Sequence, residues 1–419
     1  MAPITSPIMV VAAAFSLGWL VWSLWHMVSP AKSLPGIPLV QFDGDNSRER
    51  YTSDAASLVG KGYDTTSTMS KVGGPRITDE IQSSARVDLN RALNKLIEPM
   101  QSLCFRAAEK EMPACPNWSS IVLYPKILEL FSQMSARVMV GPKLCDAWPA
   151  ISMRYITRVL AAQGAIRKRY WPSLYWTAYY LNPEVAEVNE ARREAAELVR
   201  PVLEARQAAF ASSGSRAERH DDFIQWVMDS YRAGGKAVTS DEVVQNIFIV
   251  MFASMHGTSF VALQALFSLL GTSGALTEIP TVQRYAVTAY TFKDGLHVPA
   301  GTVVSFPNLR HNLDPAGALV TEAGTFDGKR WLRRRAGFDV SKFQFASTAE
   351  DAFDCGGGPH ACPGRFMAEV TIKLILISLV TKYDMKLPEG ALERPVESRR
   401  FMDLTPDTSM PVLLRDLRG

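Results

Sequence analysis

The sequence predicts a mainly α-helical fold: one large helical domain with a small β region, preceded by an N-terminal transmembrane helix. Three observations carry this. No charged side chain occurs from Met1 to Ala31. A second long run, after Glu242, carries none until Glu278. β-Type sequence punctuated by turn signals is concentrated in one stretch, from Tyr285 to Phe306. The composition suits a globular chain: 47% apolar, 21% charged and 10% aromatic over 419 residues, close to the soluble average. A core of that size needs neither disulfides nor a structural metal. The net charge of +3 is too small to argue for nucleic acid. Five cysteines without paired spacing exclude a disulfide framework and suit a reducing compartment.

Pro7–Val28 is nearly all apolar and holds Trp19, Trp22 and Trp25. As a helix it reaches about 33 Å, enough for the ~30 Å hydrocarbon core. Tryptophans toward one end suit a membrane–water interface. A cleaved signal peptide is the alternative. Against it stand the lack of Lys or Arg at the start and the length of the run. Ser33-Leu-Pro-Gly-Ile-Pro38 then reads as a stiff hinge, dividing a membrane anchor (1–31) from a globular body (32–419).

Within the body, residues 39–84 are Gly/Ser/Thr-rich and read as loops and short helices. Residues 86–110 and 120–140 carry helical apolar spacing. Asn117-Trp-Ser119 is a glycosylation sequon, relevant only if the body faces a lumen. Glu184–Phe210 reads as a solvated helix kinked or broken at Pro201, and Ser212–Asp221 as a polar loop. Thr239-Ser-Asp-Glu242 has capping-box spacing and opens the second apolar run. Its polar members, among them Gln245, Asn246, His256 and Gln264, favour a buried central helix over a second membrane span. Lys293-Asp-Gly295 is a hairpin signal between Tyr285–Phe292 and Leu296–Val298, with a third strand at Thr302–Phe306. The chain then reads as loop until Arg365, followed by an apolar helix over Phe366–Lys382.

The most informative segment is Asp354-Cys-Gly-Gly-Gly-Pro-His-Ala-Cys-Pro-Gly-Arg365. Glycines bracket Cys362 just before the apolar helix. A thiolate there gains from the helix dipole and from unpaired N–H groups. The glycines let backbone approach a large flat ligand. A thiolate on heme iron favours O–O cleavage. A Gly-rich turn with a buried cysteine is the bland reading. Zinc is disfavoured, since Cys355 and Cys362 lack a second pair. A phosphate loop would need Gly-Lys-Ser/Thr.

Gly358-x-x-x-Cys362-x-Gly364, with His360 inside and Arg-Phe-Met-Ala-Glu369 after it, resembles the heme loop of cytochrome P-450 monooxygenases, in the form of the filamentous-fungal branch. Phe326-Asp-Gly-Lys-Arg-Trp331 is similar to that family's loop with a structural Arg. Tyr124-Pro-Lys126 through Gly141-Pro-Lys-Leu-Cys145 also resembles the fungal branch. The resemblance implies a heme-thiolate monooxygenase fold, with heme b held by Cys362 as axial ligand. It implies His360 and Arg284 on the propionates, Arg330 bracing the cysteine loop, and Gly358 and Gly364 shaping it. Ala253-Ser-Met-His-Gly-Thr-Ser259 would be the oxygen-activating turn, with His256 and Thr258 as its functional groups. For His256 the bland alternative is a satisfied polar group in a buried helix.

Three positions depart from the family pattern. Cys355 stands where Phe is usual, and Gly257 where the proton-relay Thr is expected. No Glu-x-x-Arg pair lies between the central helix and the β region, and Gly271–Thr281 and residues 40–85 look compressed. Glu190/Arg193, Glu197/Arg200 and Glu397/Arg400 have that spacing elsewhere and read as surface pairs. Losing the partners of a buried charged network costs ~3–5 kcal/mol, so the absence predicts poor heme loading.

The implied function is oxidation of a small apolar molecule in fungal secondary metabolism. Dioxygen would be the oxidant, with electrons from NADPH through a reductase. The implied location is the endoplasmic reticulum membrane, single-pass, with a cytosolic body and no nucleic-acid partner. Lys329, Arg330, Arg333, Arg334, Arg335 and Arg365 form either part of a reductase-docking face or a solvated basic run. A degenerate member with little heme, or a two-span membrane protein without cofactor, are the competing readings.

Overall fold

The computed structural model describes residues 83–169, 183–271, 281–285, 288–292, 295–300, 302–307, 327–335, 344–348, 354–356, 361–391, 395, 398–400 and 403–417. The expected anchor at Pro7–Val28, the hinge and residues 39–82 lie outside them.

The chain is mainly helical, as its patterning predicts. After a π-type turn at Ser84–Asp88 come helices α1 (Leu89–Glu111), α2 (Leu123–Val140), α3 (Trp148–Arg169), α4 (Pro183–Ser213), α5 (Phe223–Ala233) and α6 (Ser240–Leu270). Short α7 (Arg330–Arg335) and apolar α8 (Arg365–Val380) follow. Helices α3, α5 and α7 lie where the sequence reading named no helix.

α6 is the axis of the packing. The Thr239 hydroxyl accepts from Glu242 N–H at 3.3 Å, and the Glu242 carboxylate accepts from Thr239 N–H at 2.8 Å. This reciprocal pair starts the helix. The helix is long and apolar enough to cross a membrane, yet α2, α4, α5 and α8 pack around it. Val243, Val244, Ile247, Phe248, Met251 and Met255 are fully buried. Trp148 of α3 donates its indole N–H to the Met251 sulfur at 3.1 Å. Its ring stacks on Phe248, which Tyr155 covers at 3.8 Å. α6 is therefore a core helix.

α4 does not break at Pro201. Proline removes one backbone donor, but Pro201 faces solvent. The inner stripe of Ala191, Ala195, Ala196, Val199 and Leu203 is continuous on both sides of it. The helix continues to Ser213, and a 3-10 turn at Gly214–Arg216 follows within the expected loop.

Strands are short. β2 (Thr281–Tyr285) pairs antiparallel with β5 (Val303–Pro307), and β3 (Tyr290–Thr291) with β4 (His297–Val298). The hairpin signal is borne out, with Tyr290 opposite Val298. A three-stranded antiparallel sheet was not foreseen: β1 (Ser119–Val122), β9 (Pro411–Asp416) and β6 (Tyr383–Lys386), in the order β1-β9-β6. Val412 and Leu414 point into the core from alternate positions. Asp416 holds Cys115 through both backbone and carboxylate, and the Tyr383 hydroxyl donates to Pro113 O at 2.7 Å. A further pair, β7 (Ser398–Arg400) with β8 (Asp403–Thr405), completes the described strands.

One buried ion pair ties α4 to α5. Arg206 makes two hydrogen bonds of 2.6 Å to Asp222, whose side chain is 1% exposed. Asp222 also accepts from Gln225 N–H at 2.9 Å and so caps α5. Gly141, after α2, has φ 75, and a Cβ there would collide with the Asp222 carboxylate. Replacing Arg206 with Met leaves that carboxylate buried and unpaired. It is expected to cost ~3–5 kcal/mol, read as a lower midpoint in chemical unfolding. An unchanged midpoint would show the pair does not brace the bundle.

Candidate heme-thiolate site

Two features of the helical core bear on the site, and the helices that carry them, α6 and α8, pack against each other. The first is the cysteine loop. Cys104, Cys115 and Cys145 are buried, Cys355 is half-buried, and Cys362 is exposed. Burial pushes the Cys104 thiol up to about 11, as expected of inert core cysteines. Cys362 sits three residues before the first residue of α8, and Gly364 at the cap position supplies no side-chain cap. The first-turn N–H groups therefore carry the unopposed positive end of the helix dipole.

The loop is braced by its own backbone. Cys362 N–H donates to Cys355 O at 2.7 Å. Arg365 Nη1 donates to Cys362 O at 2.9 Å and its Nε to Ala346 O at 3.1 Å. The guanidinium also lies over the Phe366 ring, 4.3 Å from its centre. Arg365, grouped by sequence with a docking face, is thus occupied in holding the loop. Nothing in the sequence signals this, because Ala346 lies nineteen positions away.

Gly358 and His360 lie outside the described residues. Of Arg284 the backbone is described, in β2 opposite Val304. Arg330 opens α7 half-buried, its N–H donating to Asp327 O at 3.1 Å. The Asp327 carboxylate accepts a hydrogen bond from Arg333. That bond is the main reason its carboxyl is held below the usual range. Glu190 and Arg193 form the expected exposed pair at 3.8 Å.

The second feature is a gap in the burial of α6. Met255, Thr258, Ser259 and Ala262 face packed protein, whereas Ala253 is exposed and His256, Gly257, Phe260 and Val261 are half-buried. A Cβ at Gly257 would meet nothing within 4 Å among the described residues. Thr258, expected near the reaction, therefore faces the packed side at 7% exposure, and His256 belongs to the open face. The His256 Nδ1 is 2.6 Å from the Tyr124 hydroxyl of α2. Burial lowers the histidine pKa and raises that of the tyrosine. The sequence reading did not join these two residues, which are 132 positions apart.

An exposed thiol at an uncapped helix start, and an open apolar face at the middle of the helix packed against it, fit a large flat group with a thiolate-bound metal. The family model described as cytochrome P-450 matches residues 119–273 and 277–411. The chain belongs to the cytochrome P-450 family. It is 28% identical to cytochrome P-450 monooxygenase ccsG of Aspergillus clavatus, over 97% of this chain and 98% of that protein. It is 25% identical to pyrichalasin C-7 hydroxylase of Pyricularia grisea, over 86% and 88% of the two chains. The structure of retinoic acid-bound cyanobacterial CYP120A1 shares the fold, with a TM-score of 0.53 at 16% identity, over 88% of this chain and 86% of that one.

The alignment to the Aspergillus protein runs over 505 positions, more than the 419 residues of this chain. It spans that relative by opening gaps here. The family match breaks between 273 and 277, inside the Gly271–Thr281 stretch whose sequence looks compressed.

Arg365→Ala removes both guanidinium bonds to the loop. Each charge-assisted bond is worth about 1.5–3 kcal/mol when buried, and less at this half-exposed position. The expected outcome is faster proteolysis between residues 346 and 365 and lower heme content in the purified protein. Unchanged values of both would show the loop is held by other groups.

Proposed function

We propose that the chain is a heme-dependent monooxygenase of fungal secondary metabolism, with Cys362 as the axial iron ligand. The supporting observation is that thiol, exposed at the start of α8 in a chain of the cytochrome P-450 family. When bound, the heme supplies dioxygen activation, for which a thiolate ligand is electronically suited. Gly364 leaves the approach to Cys362 open, and the Arg365 bonds hold its carbonyl in place. His360 and Arg284 hold the propionates, Gly358 shapes the loop with Gly364, and Arg330 braces it. His256 is the polar group on the open face of α6, with Thr258 behind it.

The substrate is a small apolar molecule. Ala253, Gly257, Phe260 and Val261 line the open face with carbon, which suits an apolar occupant. Electrons come from NADPH through a reductase, with Lys329, Arg330, Arg333, Arg334 and Arg335 contributing positive charge to the docking face. Pro7–Val28 anchors the protein in the endoplasmic reticulum membrane as its one span, and the body, from residue 32, is cytosolic. A degenerate member without catalysis is not favoured, since relatives spanning nearly the whole chain are named as monooxygenases.

Cys362→Ala is expected to abolish the thiolate-type absorption of the reduced, carbon monoxide-bound protein, and Cys355→Ala to leave it. A thiolate signature that survives Cys362→Ala would sink the assignment. Asn117 is exposed, so it is open to modification wherever glycosylation machinery meets it. In cells it is expected to stay unmodified, as seen by unchanged gel mobility after glycosidase. A mobility shift would place the body in the lumen.

A further inference from the structure

Gly257 deprives the middle of α6 of a hydroxyl where the family resemblance expects one, and the structure places a different polar pair beside it. Tyr124 in the first turn of α2 and His256 of α6 share a 2.6 Å hydrogen bond. Phe260, one turn further along α6, stacks on the Tyr124 ring at 5.3 Å between centres. The Nε2 of His256 is buried and has no hydrogen-bond partner among the described residues. The hydroxyl of Ser259, three residues on, is likewise buried and unpartnered there.

The direction of the Tyr124–His256 bond follows from counting donors and acceptors. A neutral imidazole carries one N–H and one bare nitrogen, and a phenol carries one O–H. If His256 donates from Nδ1, the Tyr124 O–H lacks an acceptor and Nε2 is a bare, buried acceptor. Two groups then go unsatisfied. If Tyr124 donates to Nδ1, the proton of His256 must sit on Nε2, and that single N–H is left unpaired. An unmade buried hydrogen bond is costly, so the second arrangement is the stable one. Burial acts on both partners in the same sense, keeping the phenol protonated and the imidazole neutral.

We propose that Tyr124 is a positioning residue that fixes His256 as its Nε2–H tautomer, and that this buried N–H is the donor that holds one internal water molecule beside the middle of α6. The inference rests on the monooxygenase reading for its purpose, which is to order water next to the reacting oxygen. His256 acts as a hydrogen-bond donor and keeps its proton. Giving it up would leave an imidazolate or, with the phenol following, a buried phenolate, and both are strongly disfavoured away from water. Protons reach the site through the ordered water. A buried water needs two to four polar partners. His256 Nε2–H supplies one of them.

The test uses the full chain labelled with nitrogen-15 at histidine. Imidazole nitrogen resonances distinguish the two tautomers without any turnover. The expected result is a protonated Nε2 and a bare Nδ1 at His256. Tyr124→Phe keeps the ring stacked on Phe260 and removes the donor. It is expected to shift the tautomer ratio toward Nδ1–H by about 2- to 10-fold, the worth of one hydrogen bond. In the loaded enzyme, Tyr124→Phe and His256→Leu are expected to raise peroxide release per NADPH. His256→Gln, which keeps an acceptor for Tyr124 and a donor for water, is expected to raise it less than His256→Leu does. A protonated Nδ1 in the parent chain would overturn the proposal, as would a tautomer unmoved by Tyr124→Phe. So would equal peroxide release from the Gln and Leu variants. The carbon monoxide spectrum of the same samples reports separately on the monooxygenase reading, so its failure is distinguishable from that of the tautomer.

Discussion

A helix without a charged side chain between Glu242 and its end at Leu270 has to be buried, and the rest of the structure answers that requirement. α2, α4, α5 and α8 pack against α6. Trp148 and Tyr155 of α3 close over Phe248. At roughly 25 cal/mol per Å2 of apolar surface removed from water, such a helix is a dominant source of stability. The same constraint makes its one open stretch informative. Ala253 is exposed in the middle of this apolar helix, and Gly257 has no side chain to fill the space beside it. This face of α6 is the part that the surrounding helices do not cover.

The cysteine loop depends on α6 indirectly, through α8. Seven of the sixteen residues of α8 are buried, and Ile375 and Leu379 are almost wholly withdrawn from solvent. That packing fixes the helix start and hence the position of Cys362. The loop before it is held by backbone and Arg365 bonds. The break in the family match at 273–277 falls where a Glu-x-x-Arg pair is expected and missing, so the burden on these local bonds is greater. Arg333 of α7 hydrogen-bonds the Asp327 carboxylate just before the helix.

The long elements were legible because their signals are local. The Thr239–Glu242 cap and the uncharged run after it define α6 to within a residue. Apolar spacing places α1, α2 and α8, and Lys293-Asp-Gly295 places the β3–β4 turn. Of the kink or break that Pro201 signals, the break does not occur, because a proline on the solvent face of a helix with a continuous buried stripe does not end it. The β1-β9-β6 sheet was missed because its strands lie 119 to 416 in the chain and are short. Their pairing is a long-range fact that no window contains. The place of Cys362 just before a helix was legible from its glycine frame and the apolar run after it. Which side of α6 Thr258 faces was not legible, because its neighbours, not its own identity, decide which side of the helix is packed. The Tyr124–His256 bond joins distant segments, and neither residue type at either place announces it.

The central claim is that this chain, despite its shortened middle, holds heme through a cysteine thiolate. The most direct measurement is the absorption spectrum of the purified, heme-supplied full chain, reduced and exposed to carbon monoxide, with heme content determined on the same sample. In place of the poor loading that the missing Glu-x-x-Arg pair alone predicts, the account predicts bound heme and the long-wavelength band of a thiolate-ligated carbon monoxide complex. A protein that retains no heme, or whose band is that of a nitrogen-ligated heme, would contradict it.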